Sequence, residues 1–241
     1  MYPQTHVFFA ENVLEQQRDT VTLGSIFPDM LVGRGFTHFE AHSKGMEIFE
    51  FLKTNDFLSD FGRAVLTHGF NPKGLDYYGD EKYLDFEKGY CFEKARPFIS
   101  ETVEACNIPV EMGWWKAHNI IEMGVELLIS AAGNFGEKIA GAFSNKHLIK
   151  EVNTVLYHLW PEKMSINLER RVEKFSGMIA LEKTTPEILA RKYRIQMQLR
   201  HRVDIDTQKV ARLIDRAAEE VDRDMPSFFS TVAVLVKENL K

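Results

Sequence analysis

Lys116-Ala117-His118-Asn119-Ile120-Ile121-Glu122 sets an imidazole and a carboxylate four residues apart, inside a run from about Glu111 to Ala132 that lacks proline and has few glycines. A helix turns once every 3.6 residues, so His118 and Glu122 project from one face. Such a pair can hold a divalent cation; alone, it reads better as a local hydrogen bond on a solvated face. The other histidines move that balance. His6, His38, His42, His68 and His118 crowd the first half of the chain, whereas His147, His158 and His201 are scattered beyond it. With Asp29 and Glu122 the early histidines form a ligand set spread over several predicted helices, which is how a helical bundle assembles a metal site. Imidazoles and carboxylates suit zinc and similar ions. Two such ions a few ångströms apart can clamp both the attacking and the leaving oxygen of a phosphodiester.

The elements that must position these groups are helical throughout. Thr5 can cap a helix to about Arg18, with Val7, Phe8, Ala10, Val13 and Leu14 as its apolar stripe. Leu23–Met30 reads as a short buried helix that Pro28 ends in a turn presenting Asp29. Thr37 caps a helix from His38 to about Lys53, and Asp56 one from Phe57 to about His68, stopped by the turn residues 69–76. Residues 80–100 are again helical in pattern, with a break at Pro97. After the long helix carrying His118, further helices are predicted at about Asn145–Leu159, Lys163–Phe175, Pro186–Val203, Gln208–Arg223 and Ser227–Leu240. Thr185-Pro186-Glu187 is a strong start signal, and Asp206 or Thr207 caps the helix after it. Alternating apolar runs with hairpin turns, internal repeats and linkers are missing. The expectation is a single all-α domain over residues 1–241, a multi-helix bundle with a metal site between helices in residues 1–132 and additional helices in 133–241.

Composition narrows the function. With 241 residues and 44% hydrophobic content the chain can bury a sizeable core. A net charge of −5 gives no electrostatic reason to bind nucleic acid. Cys91 and Cys106 lack zinc-ribbon or disulfide-framework spacing. The N-terminal residues have no basic start with an apolar run, and no apolar stretch approaches a membrane span, so a cytoplasmic protein without a transmembrane segment is expected.

Several short motifs occur in a telling order: Thr5-His6-Val7, then Gly24-Ser25-Ile26-Phe27-Pro28-Asp29, Thr37-His38-Phe39, Leu66-Thr67-His68, and Ala117-His118-Asn119-Ile120-Ile121-Glu122. In order and approximate spacing this set resembles the zinc-dependent phospholipase C family, over roughly residues 5–130. The resemblance implies an all-α fold with a polymetal zinc centre in a cleft, hydrolysing phosphodiesters with a metal-activated water. It assigns Asp29, His38 and His68 to one ion and His118 with Glu122 to a second, with Glu122 or Asp29 candidates for assisting the water. His6 matches the ligand of a third ion, which in secreted members also uses the amino group of the processed chain. Here five residues precede His6, and two zinc ions, or other divalent metals, are expected. The chain departs from the family pattern after His68: the bridging aspartate expected four residues on is Pro72. Asp76 or Asp80, beyond the turn, is the candidate replacement, and His42, one turn after His38, a candidate additional ligand.

The leading reading is therefore a metal-dependent phosphoester hydrolase acting on a small-molecule phosphoester or a phospholipid. The alternative is a non-catalytic helical binding or scaffold protein with a degenerate metal site, motivated by the aspartate missing after His68. HD-domain phosphohydrolases rank last, because no His-Asp dipeptide occurs. Asn119 and the Trp114-Trp115 pair read as helix-surface and core residues, with an orienting amide and a pocket floor as the alternatives. Arg191-Lys192-Tyr193-Arg194 with Arg200-His201-Arg202 reads first as the exposed side of an amphipathic helix, and second as a phosphate-binding strip.

Overall fold

The computed structural model describes residues 1–33, 35–163 and 167–240. Among them the chain is all helix and connection, without strands: α1 (Pro3–Leu14), α2 (Asp19–Leu31), α3 (His38–His42), α4 (Gly45–Leu52), α5 (Ser59–Leu66), α6 (Tyr90–Lys94), α7 (Ile99–Cys106), α8 (Gly113–Ala132), α9 (Phe135–Ser144), α10 (Lys146–Leu159), α11 (Leu168–Met178), α12 (Pro186–His201), α13 (Thr207–Asp222) and α14 (Met225–Asn239). The expected all-α multi-helix bundle is what the chain forms. No helix among the described residues is long and apolar enough to cross a membrane.

Two helix pairs carry the architecture. α8 runs through the middle against α13, with α1, α6 and α7 around it. A Cβ on Gly124 would lie 2.7 Å from the Ala217 carbonyl carbon, so glycine is what lets the α8 and α13 backbones touch. The second pair is α2 on α5, where a Cβ on Gly24 would meet the Phe61 carbonyl oxygen at 2.4 Å. That crossing brings the Asp29 end of α2 beside the His68 end of α5. Phe9, Phe27, Phe61, Tyr90 and Phe228 fill the space between as the largest fully buried rings.

Several boundaries differ from those the sequence suggests. α1 begins at Pro3, not after a Thr5 cap, because its free N–H groups are met from another helix. α2 continues through Pro28 to Leu31: proline deletes one rung of the ladder, and tertiary packing keeps the helix. The helix expected over residues 38–53 is two. Thr37 and Glu40 form a reciprocal capping box, but the His42 carbonyl accepts from Phe70 N–H at 2.8 Å and the chain bends at Ser43. α5 begins only at Ser59 and has no side-chain cap; Asn55, not Asp56, accepts from Phe57 and Leu58 N–H in the turn before it. Residues 80–100 are not one helix: Gly89 N–H bonds back to the Asp80 carbonyl, folding a loop between the turn Tyr77–Glu81 and α6. α9 was not anticipated. α11 starts at Leu168, and Met164, Ser165 and Ile166, within the helix expected from Lys163, lie outside the described residues. Asp206, of the two cap candidates, accepts from Gln208 and Lys209 N–H.

Candidate metal centre

The centre is assembled where α5 stops. Beyond Leu66 the loop 69–74 closes on itself, with Gly74 N–H donating to the Gly69 carbonyl at 2.8 Å. The chain then resumes its course: Leu75 N–H donates to the Thr67 carbonyl and Asp76 N–H to the His68 carbonyl, each at 2.8 Å. Those are the bonds that residues four on from Thr67 and His68 would make in an uninterrupted helix. Asp76 thus stands one helical turn from His68 in space although it is eight residues away in sequence. The turn Tyr77–Glu81 then carries Asp80 toward α8.

Asp76 is the hub. Its Oδ1 lies 3.2 Å from His6 Nε2, and its Oδ2 lies 3.3 Å from His42 Nε2 and 3.2 Å from His68 Nε2. His42 Nε2 is also 3.5 Å from Asp29 Oδ1. The Met1 amino group is 2.8 Å from both Asp76 Oδ1 and Glu122 Oε1. Ligand-type atoms gather in three groups: His6, His68 and Asp76; Asp29, His42 and His68; and Asp80, His118 and Glu122. The first two share His68, so the centre is one continuous cluster flanked by a third set on α8.

The donor set fits divalent cations on an observation independent of any family. The Nε2 atoms of His6, His42 and His68, with Asp80 Oδ1 and His118 Nδ1, are buried and have no hydrogen-bond partner among the described residues. Buried polar atoms are rarely left unmatched, and the three Nε2 atoms gathered around Asp76 could hold a cation. The rings are also held for ligation. His42 Nδ1 donates to the His38 carbonyl at 2.8 Å and His68 Nδ1 to the Ser25 carbonyl at 2.5 Å. With the proton on Nδ1, His68 Nε2 offers a lone pair to the centre, and His42 Nε2 does so once its own proton is displaced.

Electrostatics point the same way. Burial pushes His68 down to about 4, helped by His6, and burial likewise pushes His118 down to about 4. Both rings are therefore neutral at pH 7. Burial opposes the charge on His42, but Asp29 and Asp76 outweigh it and raise that ring to about 10. Burial and the neighbouring Glu122 hold the Asp80 carboxyl well above the ordinary carboxylate range. Carboxylates that must share a buried space need positive charge among them.

His38, expected as a ligand, lies outside the three groups. It stacks on His42 with ring centroids 4.0 Å apart and stands exposed at the mouth of the cleft, while its backbone carbonyl orients His42. His42, one turn on, points inward. We expect His42→Ala to lower bound metal by about one ion per chain and His38→Ala to leave the stoichiometry unchanged, as elemental analysis of the two variants would show.

Glu126 was missed by the sequence reading, although it repeats the four-residue spacing of His118 and Glu122. It is 1% exposed, and its carboxyl accepts from Gln4 N–H at 3.0 Å, Thr5 N–H at 2.8 Å and the Thr5 hydroxyl at 2.7 Å. α8 thereby caps the first turn of α1, fixing His6 relative to His118 and Glu122. Burial raises this carboxyl to about 7 against the pull of its three donors. Glu126→Ala is expected to lower the unfolding free energy by about 2–4 kcal/mol, the cost of orphaning two buried N–H groups, measured by chemical denaturation.

Asp29, Asp76, Asp80, His118 and Glu122 of the cluster line a cleft of about 660 Å³, with His6, His42 and His68 beneath Asp76. α8 gives one wall with Trp115, Lys116, His118, Asn119 and Glu122; α11 and α12 give the other through Phe175, Met178, Tyr193, Met197 and Arg200. Asn119 Nδ2 is 3.2 Å from Glu122 Oε2 and 3.3 Å from His118 Nε2, so the amide faces the centre and not solvent. Arg171 on α11 donates to the Val32 and Gly33 carbonyls at 2.9 and 3.2 Å, binding this wall to the end of α2 next to Asp29. The expected basic strip divides: Arg194 pairs with Asp204 at 2.6 Å and Lys192 bonds the Gly177 carbonyl, whereas Arg200 and His201 face the cleft. No apolar rim is evident in the sequence, yet Phe39, 68% exposed, and Trp115, 47% exposed, stand at the cleft mouth from separate helices. No family model, curated protein or solved structure gives a significant match to this chain.

Proposed function

We propose that the chain is a metal-dependent phosphoester hydrolase, with zinc the ion that best suits its donors and two ions the number its ligand groups best accommodate. The observation that carries this is the set of unpartnered Nε2 atoms of His6, His42 and His68 turned on Asp76 at the floor of an open cleft. His6, Asp29, His42, His68 and Asp76 would hold one ion; Asp80, His118 and Glu122 a second. Divalent ions bound there would supply an activated water and neutralise charge developing on a phosphoryl group. The protein's own part is to fix the imidazole tautomers through the His38 and Ser25 carbonyls, to set α1 against α8 through Glu126, and to aim Asn119 at the centre. The scaffold reading drew on the aspartate missing after His68, and Asp76 beside that ring favours the hydrolase instead.

Elemental analysis of protein purified without a histidine tag tests the reading. Stoichiometric zinc, manganese or iron is expected, together with hydrolysis of bis-p-nitrophenyl phosphate that a chelator abolishes and added metal restores. Protein that neither carries nor takes up metal would sink it.

A further inference from the structure

One wall of the cleft carries cations that make no ion pair among the described residues. Several partly buried or exposed basic side chains meet carboxylates: Lys94 Nζ reaches Asp224 and Lys138 reaches Glu11, each at 2.7 Å, and Lys209 reaches Glu104 at 2.6 Å. Lys116 differs. It is 4% exposed, its Nζ lies 3.5 Å above the Trp115 ring, and its hydrogen bond goes to His201 Nε2 at 2.9 Å. No carboxylate is in ion-pair contact with it among the described residues. With Lys116 donating, His201 accepts and stays neutral, so the imidazole orients the ammonium without cancelling it. Arg200, beside His201 on α12, lines the same cleft and has no ion pair, hydrogen bond or ring contact among the described residues.

A buried cation left unpaired is costly, and an anion bound in the cleft beside it would relieve that cost. Position narrows the anion's role. Lys116, Arg200 and His201 line the same cleft as His118 and Glu122, so an anion held by them would sit next to the ligand groups without occupying them. We propose that Lys116, Arg200 and His201 form an anion subsite for a phosphate group other than the one being cleaved. The preferred substrate is then a phosphoester bearing a second phosphate, not one whose remaining part is neutral or cationic. That this anion belongs to a substrate rests on the hydrolase reading above; the subsite itself does not.

The test uses the full chain stripped of metal with a chelator and titrated with inorganic phosphate, followed by calorimetry and by the fluorescence of Trp115 under Lys116. Saturable binding is expected, weakened about tenfold or more in the Lys116→Met, Arg200→Gln double variant through loss of charge-assisted hydrogen bonds. Arg200 is exposed, so Arg200→Gln alone must also weaken binding if the double variant does not fold. Absence of saturable binding, or unchanged affinity in the variants, would overturn the proposal. Flotation with phosphatidylcholine vesicles, with and without phosphatidic acid, separates two sources of the phosphate. Retention on phosphatidic acid vesicles alone assigns it to a lipid, and phosphate binding without retention to a soluble compound; both support the subsite. Phosphate binding by a chain that takes up no metal would likewise support it, while removing the hydrolase reading.

Discussion

Asp76→Asn is expected to cost the centre at least one stoichiometric metal ion and to lower phosphoester hydrolysis by about 10²–10³-fold, the scale on which removal of one preorganised charge-stabilising group is felt. The expectation follows from the hub geometry: three imidazole Nε2 atoms lie 3.2 to 3.3 Å from the two oxygens of this one carboxylate. Burial works against its charge, yet the Met1 ammonium, His6 and His68 hold it well below the ordinary carboxylate range. Asparagine preserves the shape and one acceptor oxygen but removes the charge. In the metal-free protein the raised His42 imidazolium would keep only Asp29, and breaking a buried pair from one side costs about 3–5 kcal/mol. Metal analysis, hydrolysis and thermal melting on one preparation separate the effects. Unchanged metal content in a folded Asp76→Asn protein would refute the assigned hub.

Metal itself should move stability more than most substitutions. At free metal a thousandfold above Kd, linkage contributes about 4 kcal/mol. For a chain of 241 residues that corresponds to a rise in Tm of about 10 °C over the chelated protein. The pH dependence has a definite sign. His42 is held at about 10 in the metal-free protein, so an ion beside Asp76 must displace its proton at neutral pH. Asp80, held well above the carboxylate range, would release a second proton to solvent when an ion binds beside Glu122. His68 and His118, already neutral, release none. Metal binding at pH 7 should therefore liberate about two protons, and apparent affinity should fall as pH falls. Calorimetry in buffers of different ionisation enthalpy counts them; release of none would contradict the assignment.

The metal-free fold follows from the same groups. His68 and His118 titrate below their unfolded value of 6.5, so the stability they contribute is present above 6.5 and lost as pH falls toward 4. His42 titrates above 6.5, so its contribution is complete below that value and lost as pH rises toward 10. The chelated protein should thus weaken between pH 6.5 and 4, with melting temperature as the readout.

Much of this was visible in one dimension. Helical periodicity and cap residues set the fold class, because both act within a few residues: Thr185 before Pro186 and Asn145 before α10 begin helices as local chemistry dictates. The spacing of His118 and Glu122 likewise placed two groups on one face. The rest depended on contacts between segments far apart in sequence. Which of His38 and His42 turns inward was settled by the Phe70 N–H that takes the His42 carbonyl and bends the chain at Ser43. Asp76 comes beside His68 because the loop between folds out and the helical bonds resume behind it. No local signal marks that approach, since loop residues 69–74 read only as a turn. Glu126 capping α1, Arg171 clasping the end of α2, and Lys116 resting on His201 are equally long-range. The sequence by itself determined the helices and the inventory of donors, as those depend on neighbours one turn away. Only the tertiary structure decided which donors converge and that α11 and α12 wall the cleft, because burial and unmatched lone pairs exist only once distant helices pack.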